Sequence, residues 1–265
     1  MSSRATRFER DGFLRFPFSS ALKRWAEAAA VAGAAAMEDP RHAHWWRHGR
    51  TWFVGVDALP NLPDGAVPGG PPLAGEAIDF LRDALGFRGP WHQAQVSACF
   101  PGYPQRDESE SEAQHRFRRQ RDAAHVDGLH GEGPERRRYL REYHDFILGL
   151  PLTEASAGAA PLVVWKGSHV IMQTVFTAAL QSLAPERWGE IDFTDLYQQT
   201  RKQVFDTCER IVLPAAPGEA TLVHRFALHG VAPWGEGAHA SGQGRMIAYF
   251  RPETTDKLKW LTSPL

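Results

Sequence analysis

The chain has 265 residues, 30 basic against 31 acidic side chains and a formal net charge of −1, which is long enough to bury a large core and too balanced to attract nucleic acid at long range. Cys99 and Cys208 stand far apart with no closely spaced thiol motif and no secretory pattern at the N-terminus, so the expectation is a reduced, cytoplasmic protein. The longest Ala-rich stretch, residues 21–37, is broken by Lys23, Arg24 and Glu27, and this excludes it as a membrane span.

In chain order, residues 21–37 carry strong helix formers and predict a soluble helix. Residues 60–72 are rich in Pro and Gly and predict an irregular surface loop. Residues 75–85 place Ile78, Leu81, Ala84 and Leu85 on one face, which predicts a second, amphipathic helix. From Trp91 onward the pattern changes to short strands. Residues 93–100 form the first of these, with Cys99 as core, and Pro101-Gly102-Tyr103-Pro104 ends it in a turn. Further strands are expected over 146–152, 161–165, 211–213, 221–224 and 245–250. A predominantly helical insertion over 173–208, with Leu196, Val204 and Phe205 at helical spacing, lies among them. The charged segments 105–122 and 128–142 read as solvated loops or, alternatively, as a mobile rim over a site between them. Many short strands that bring distant residues into one interior suggest a mainly β fold with flanking helices. The expected architecture is a double-stranded β-helix, the cupin-like jelly roll, with N-terminal helices over one sheet and residues 1–265 as a single domain.

His125-Val126-Asp127 is the most informative motif. In an extended chain, residues i and i+2 point to the same side, so His125 and Asp127 can face one metal while Val126 packs behind. A third ligand must come from elsewhere, and the apolar run 221–231 offers His224 and His229. Two imidazoles and one carboxylate form the facial set of non-haem Fe(II) oxygenases, although Zn2+ accepts the same ligand types. Among the other histidines, His42, His44 and His48 lie between tryptophans and suit aromatic packing. His169 suits loop orientation, and His130 lies near the expected rim.

The motifs that surround this triplet resemble the phytanoyl-CoA dioxygenase family of Fe(II)- and 2-oxoglutarate-dependent oxygenases. Phe8-Glu9-Arg10-Asp11-Gly12-Phe13 is similar to the family's opening signature. Residues 160–169, ending in Gly167-Ser168-His169, are similar to its hydrophobic strand, and Pro217-Gly218-Glu219 and residues 224–230 to its distal histidine region. The resemblance implies His125, Asp127 and His229 as iron ligands, with Leu228-His229-Gly230 selecting His229 over His224. It implies Arg245, which opens the strand 245–250, as the anchor of the far carboxylate of 2-oxoglutarate, a task suited to a guanidinium fork. Arg251 is then a salt-bridged residue at the strand end. Between His229 and Arg245 the chain is longer than in the family, with a Gly-rich insertion over 234–244, and no coenzyme A recognition sequence is present.

The implied reaction consumes O2 and 2-oxoglutarate, releases succinate and CO2, and hydroxylates a C–H bond of a small molecule. Asp127 argues against the related halogenases, which have a small residue in its place. Two alternatives belong to other classes: a cupin-like metal-dependent isomerase or hydrolase, which needs no Arg245, and a non-catalytic metal-binding scaffold, which needs no intact triad.

Overall fold

The computed structural model describes residues 3–108 and 110–264. Helix α1 (Ser3–Asp11) leads into strand β1 (Phe13–Phe16), helix α2 (Ser20–Glu38), strands β2 (Trp46–Arg47) and β3 (Trp52–Gly55), helix α3 (Glu76–Ala84) and strand β4 (Gln95–Cys99). Helix α4 (Glu112–Gln120) precedes the hairpin β5 (Leu129–Glu132) and β6 (Arg137–Leu140), followed by β7 (Phe146–Pro151) and β8 (Leu162–Trp165). Helices α5 (Ser168–Leu180) and α6 (Thr194–Thr207) separate these from β9 (Arg210–Leu213), β10 (Ala220–His224), β11 (His229–Val231), β12 (Arg245–Phe250) and helix α7 (Lys257–Thr262).

The strands form a seven-stranded sheet in the order β1-β10-β7-β12-β4-β3-β2, a three-stranded sheet β11-β8-β9 and the β5-β6 hairpin. Every pairing is antiparallel. Alternation along each strand divides its residues between two layers. Ile147, Val223, Ile247 and Tyr249 of the large sheet pack against Leu162, Val164 and Leu213 of the small one, so the two sheets face each other across a shared interior. The result is the expected mainly β jelly roll, open rather than closed into a barrel.

The opposite parity faces helices. Leu148, Leu150, Leu222, Met246, Ala248 and Phe250 bury against Leu22, Trp25, Ala26 and Ala29 of α2, and each large side chain buried there contributes roughly 1.5–3 kcal/mol. The alanine content of α2 has a packing reason. A Cβ at Gly33 would lie 2.8 Å from Met246 Sδ, so small residues on this face let the helix lie close to the sheet. The helical insertion does the same for the small sheet, with Met172, Phe176, Tyr197 and Val204 packed on Val163 and Trp165.

Three expectations need correction. The segment 105–122 is not a loop, because a capping box between Ser111 and Gln114 starts α4 within it. The segment 128–142 holds the β5-β6 hairpin. The run 221–231 is two strands in different sheets, broken by a turn in which Ala227 N–H donates to the His224 carbonyl at 2.8 Å. The turn His224-Arg225-Phe226-Ala227 is buried throughout and holds none of the Gly, Pro, Asn or Asp residues that usually announce one.

Candidate active site

His125 and Asp127 lie in a short stretch outside the named strands, Asp127 already in the turn that follows. A single bridge to His229 holds it, and Gly128, with φ of +86°, turns the chain immediately afterwards. The His125 amide donates to the His229 carbonyl at 2.8 Å and the His229 amide to the His125 carbonyl at 3.0 Å. This close pairing needs Gly230, where a Cβ would stand 2.1 Å from the Asp122 carbonyl oxygen. The chain before His125 is fixed by a bidentate pair from Arg210 to Asp122 at 2.7 and 2.8 Å. Between the two ligand candidates, the Val126 amide donates to the Tyr197 hydroxyl of α6 at 3.1 Å.

One ligand atom from each of His125, Asp127 and His229 lies within 4.8 Å of the others. Asp127 Oδ1 is 3.2 Å from His125 Nε2 and 3.7 Å from His229 Nε2. Both imidazoles hydrogen-bond through Nδ1 to the backbone carbonyl two residues earlier, Ala123 at 3.0 Å and Ala227 at 2.9 Å. A carbonyl only accepts, so Nδ1 carries the proton and each Nε2 lone pair is free for a metal. Burial, then His125, pushes His229 down to about 4, which keeps it neutral and able to ligate. Burial alone would raise the Asp127 carboxyl, but the Arg251 guanidinium leads the opposing effects that hold it well below the usual carboxylate range. Two neutral nitrogens and one carboxylate oxygen fit a divalent transition metal. The His125 side chain remains 49% exposed against 8% for Asp127 and for His229, so the cluster opens to solvent on the His125 side.

Arg245 opens β12 with its side chain on the same parity as Ile247 and Tyr249, which face the interior. Its Nη1 is buried without a hydrogen-bond partner among the described residues, and so are the hydroxyls of Tyr103 and Tyr249. Burial pushes the Cys99 thiol up to about 12 and also raises Tyr103 and Tyr249, while the nearby Arg245 guanidinium opposes all three shifts. The Tyr249 hydroxyl also feels the Asp127 carboxylate, which adds slightly to its upward shift. Opposite Tyr249 stands Gly149, where a Cβ would meet the ring at 2.9 Å. The backbone at Arg245 is clamped by Thr153, whose hydroxyl donates to the Gly244 carbonyl and accepts from the Met246 amide, both at 2.8 Å.

The sequence patterns thus separate into two groups. His125, Asp127 and His229 converge, and Arg245 shares their interior. His224 is elsewhere: fully buried between Phe8, Phe226 and His169, it donates its amide to the Gly12 carbonyl at 2.9 Å. Gly12 in turn sits where a Cβ would lie 2.4 Å from His169 Nδ1. The opening signature and Gly167-Ser168-His169 therefore meet at a structural joint. Ser168 alone reaches toward the cluster, accepting from the Leu228 amide at 2.9 Å and fixing the residue before His229. Sequence reasoning did not single out Tyr249, Tyr103 or Tyr197. Tyr249 was readable from its parity with Arg245, whereas the other two come from a Pro-flanked turn and a distant helix. His130 pairs with Glu142 at 3.2 Å on the hairpin. A cavity of about 540 Å3 between the 85–92 segment and residues 252–263 includes none of the four.

No protein-family model matches the chain, and no curated protein matches it by sequence. Solved structures do. EctD from S. alaskensis with bound Fe is 14% identical, with a TM-score of 0.50 over 95% of this chain and 76% of that one. The non-heme alpha ketoglutarate dependent carbocyclase SnoK from nogalamycin biosynthesis is 14% identical, with a TM-score of 0.48 over 100% and 92%. HygX from Streptomyces hygroscopicus with nickel, 2-oxoglutarate and hygromycin B bound is 16% identical, with a TM-score of 0.42 over 94% and 86%. At such identities the likeness is one of fold, carried by EctD.

Proposed function

We propose that this chain acts as one Fe(II)- and 2-oxoglutarate-dependent oxygenase domain, akin to the phytanoyl-CoA dioxygenase family, that hydroxylates a small molecule with O2. The observation that carries the reading is Arg245. A buried guanidinium with no carboxylate partner among the described residues is costly unless an anion completes it, and this one shares an interior with the ligand cluster. A dicarboxylate that reaches from the metal to Arg245 satisfies both ends. The Tyr103 and Tyr249 hydroxyls, which make no well-formed hydrogen bond among the described residues although Arg118 and Arg245 stand nearby, are available to the same molecule. An isomerase or hydrolase built on the three ligands has no use for this cation. The EctD structure of the same fold holds Fe, which agrees with the donor set here.

In this reading His125, Asp127 and His229 hold Fe(II), and Arg245 holds the far carboxylate of 2-oxoglutarate. Bound together, metal and co-substrate supply the oxidation of a C–H bond, with release of succinate and CO2. The protein's own residues orient and enclose. The two Nδ1 hydrogen bonds fix the imidazoles, Thr153 fixes Arg245, and the apolar walls from Ile247 and Val164 exclude water. The substrate approaches from the open side at His125. No helix among the described residues is long and apolar enough to cross a membrane.

The test is anaerobic addition of Fe(II) and 2-oxoglutarate, which should produce the visible absorption of a metal-chelated keto acid, followed by succinate release on screening a metabolite library in air. Metal binding with no 2-oxoglutarate-dependent absorption and no succinate overturns the reading.

A further inference from the structure

Asp127 gives its two oxygens to different partners. Oδ1 lies on the side of the two imidazole Nε2 atoms, at 3.2 and 3.7 Å. Oδ2 lies 3.5 Å from Arg251 Nη1. Arg251 follows β12 directly and its main chain is held on both sides. Its amide donates to His92 Nε2 at 2.7 Å, and its carbonyl is 2.9 Å from His144 Nδ1. The neighbouring carboxylate, Glu142, is engaged by His144 at 2.9 Å and His130 at 3.2 Å, which leaves the guanidinium for Asp127. Arg251 is only 19% exposed, and its Nε is buried without a partner.

We propose that Arg251 is a positioning residue that fixes Asp127 as a one-oxygen ligand. The inference rests on the metal-binding reading above and deepens it. A free carboxylate rotates between one-oxygen and two-oxygen coordination, and the second mode takes a position that exogenous ligands need. A guanidinium on Oδ2 prevents that rotation and leaves Oδ1 alone toward the imidazoles. Outer-sphere partners of this kind commonly change metal affinity 10–100-fold when removed. The two arginines at opposite ends of β12 thereby divide the work. Six residues of strand set them roughly 20 Å apart at the backbone, with Arg245 serving the co-substrate and Arg251 the ligand.

The experiment uses Co(II) as a spectroscopic stand-in, with wild type, Arg251→Met and Arg251→Lys. Affinity comes from competition with a chromogenic chelator and geometry from the d–d bands. Arg251→Met should bind Co(II) about tenfold or more weakly, with shifted d–d bands. Arg251→Lys, which keeps the charge and loses the planar fork, should recover part of both. Unchanged bands and affinity in Arg251→Met overturn the proposal, as does tighter binding, which would mean that Arg251 only opposes the cation. A lower melting temperature with wild-type bands assigns a structural role and also overturns it. If Arg251→Met does not fold, Arg251→Lys decides, since wild-type bands and affinity there exclude a need for the fork. Wild-type protein that takes up no Co(II) overturns the parent reading and this one together, whereas a binding wild type with an unaltered variant overturns only this one.

Discussion

His125 and His229 face each other as a hydrogen-bonded antiparallel pair, each amide donating to the other's carbonyl at 2.8 and 3.0 Å. Ladder geometry fixes the backbones of such a pair at about 5.5 Å between Cα atoms, and the two rings stand 4.6 Å apart. The spacing of the two candidate nitrogen ligands is therefore a property of the main chain, set independently of any metal.

Replacement of His125, Asp127 or His229 by Ala should abolish the visible absorption that Fe(II) and 2-oxoglutarate produce. His224→Ala should leave the spectrum intact and lower stability by ~1–3 kcal/mol, because it removes a buried ring from the Phe8 and Phe226 contacts. Loss of the spectrum in a folded His224→Ala protein, with retention in His229→Ala, would reverse the distal assignment.

Arg245→Leu should raise the 2-oxoglutarate requirement roughly 10–100-fold, the equivalent of a lost charge-assisted hydrogen bond of ~1.5–3 kcal/mol. Fe(II) affinity without co-substrate should hardly move. Titration of each component separately reads the split, and equal losses in both would remove Arg245 from the co-substrate role.

Gly230→Ala should damage metal binding more than folding. Its new Cβ would start 2.1 Å from the Asp122 carbonyl, forcing away the segment that carries His125, while β8 and β12 lie outside the clash. Circular dichroism close to wild type with weakened Co(II) uptake is the expected pair of results. Wild-type uptake would mean that the 122–125 segment moves freely without consequence for the site.

Limited proteolysis addresses the rim. The tip of the hairpin at Gly133-Pro134-Glu135 is exposed, whereas α4 is tied down by Glu110, whose buried carboxylate pairs with Arg118 at 3.0 Å. Cutting should fall in 128–142 before 105–122, and should slow when metal, 2-oxoglutarate and the true substrate are bound. Cutting at one rate in every state would assign the hairpin to ordinary surface.

The hydrogen bond to His144 holds the Glu142 carboxyl down to about 2 from its ordinary 4.5, against the opposing effect of burial. A depressed carboxyl contributes stability that is complete above its unfolded value and fades as pH falls through the folded one. The melting temperature of wild type should therefore decline between about pH 4.5 and 2 more steeply than that of Glu142→Gln. Parallel acid limbs would show that this pairing contributes nothing.

The parts legible in the sequence were those with a local physical cause. The strand 245–250 coincides with β12, and α2 with the Ala-rich segment, because alternation and helix propensity act over a few neighbouring residues. The gathering of His125, Asp127 and His229 was legible as motif and resemblance. What was not legible depends on distant partners. Nothing near Asp127 in sequence points to Arg251, and nothing near Val126 points to Tyr197. The hairpin within 128–142 was hidden because its strands, with Arg137 and Arg138 half-buried on opposite faces, have no clean apolar alternation. The opening signature was recognisable, but its task, packing Gly12 against His169, appears only once chain segments far apart meet.

Strand β1 pairs with β10, Phe13 opposite Val223, so β1 must wait for a segment far along the chain before it has a neighbour. The bridge between His125 and His229 closes later still, and Arg245 takes its place only after that. Long-range pairing of this kind makes folding slow and leaves an emerging chain with exposed strand edges. A chain shortened to end before residue 229 lacks one of the three residues of the proposed ligand set, so under that proposal a metal-loaded molecule is one in which segments about a hundred residues apart have already met.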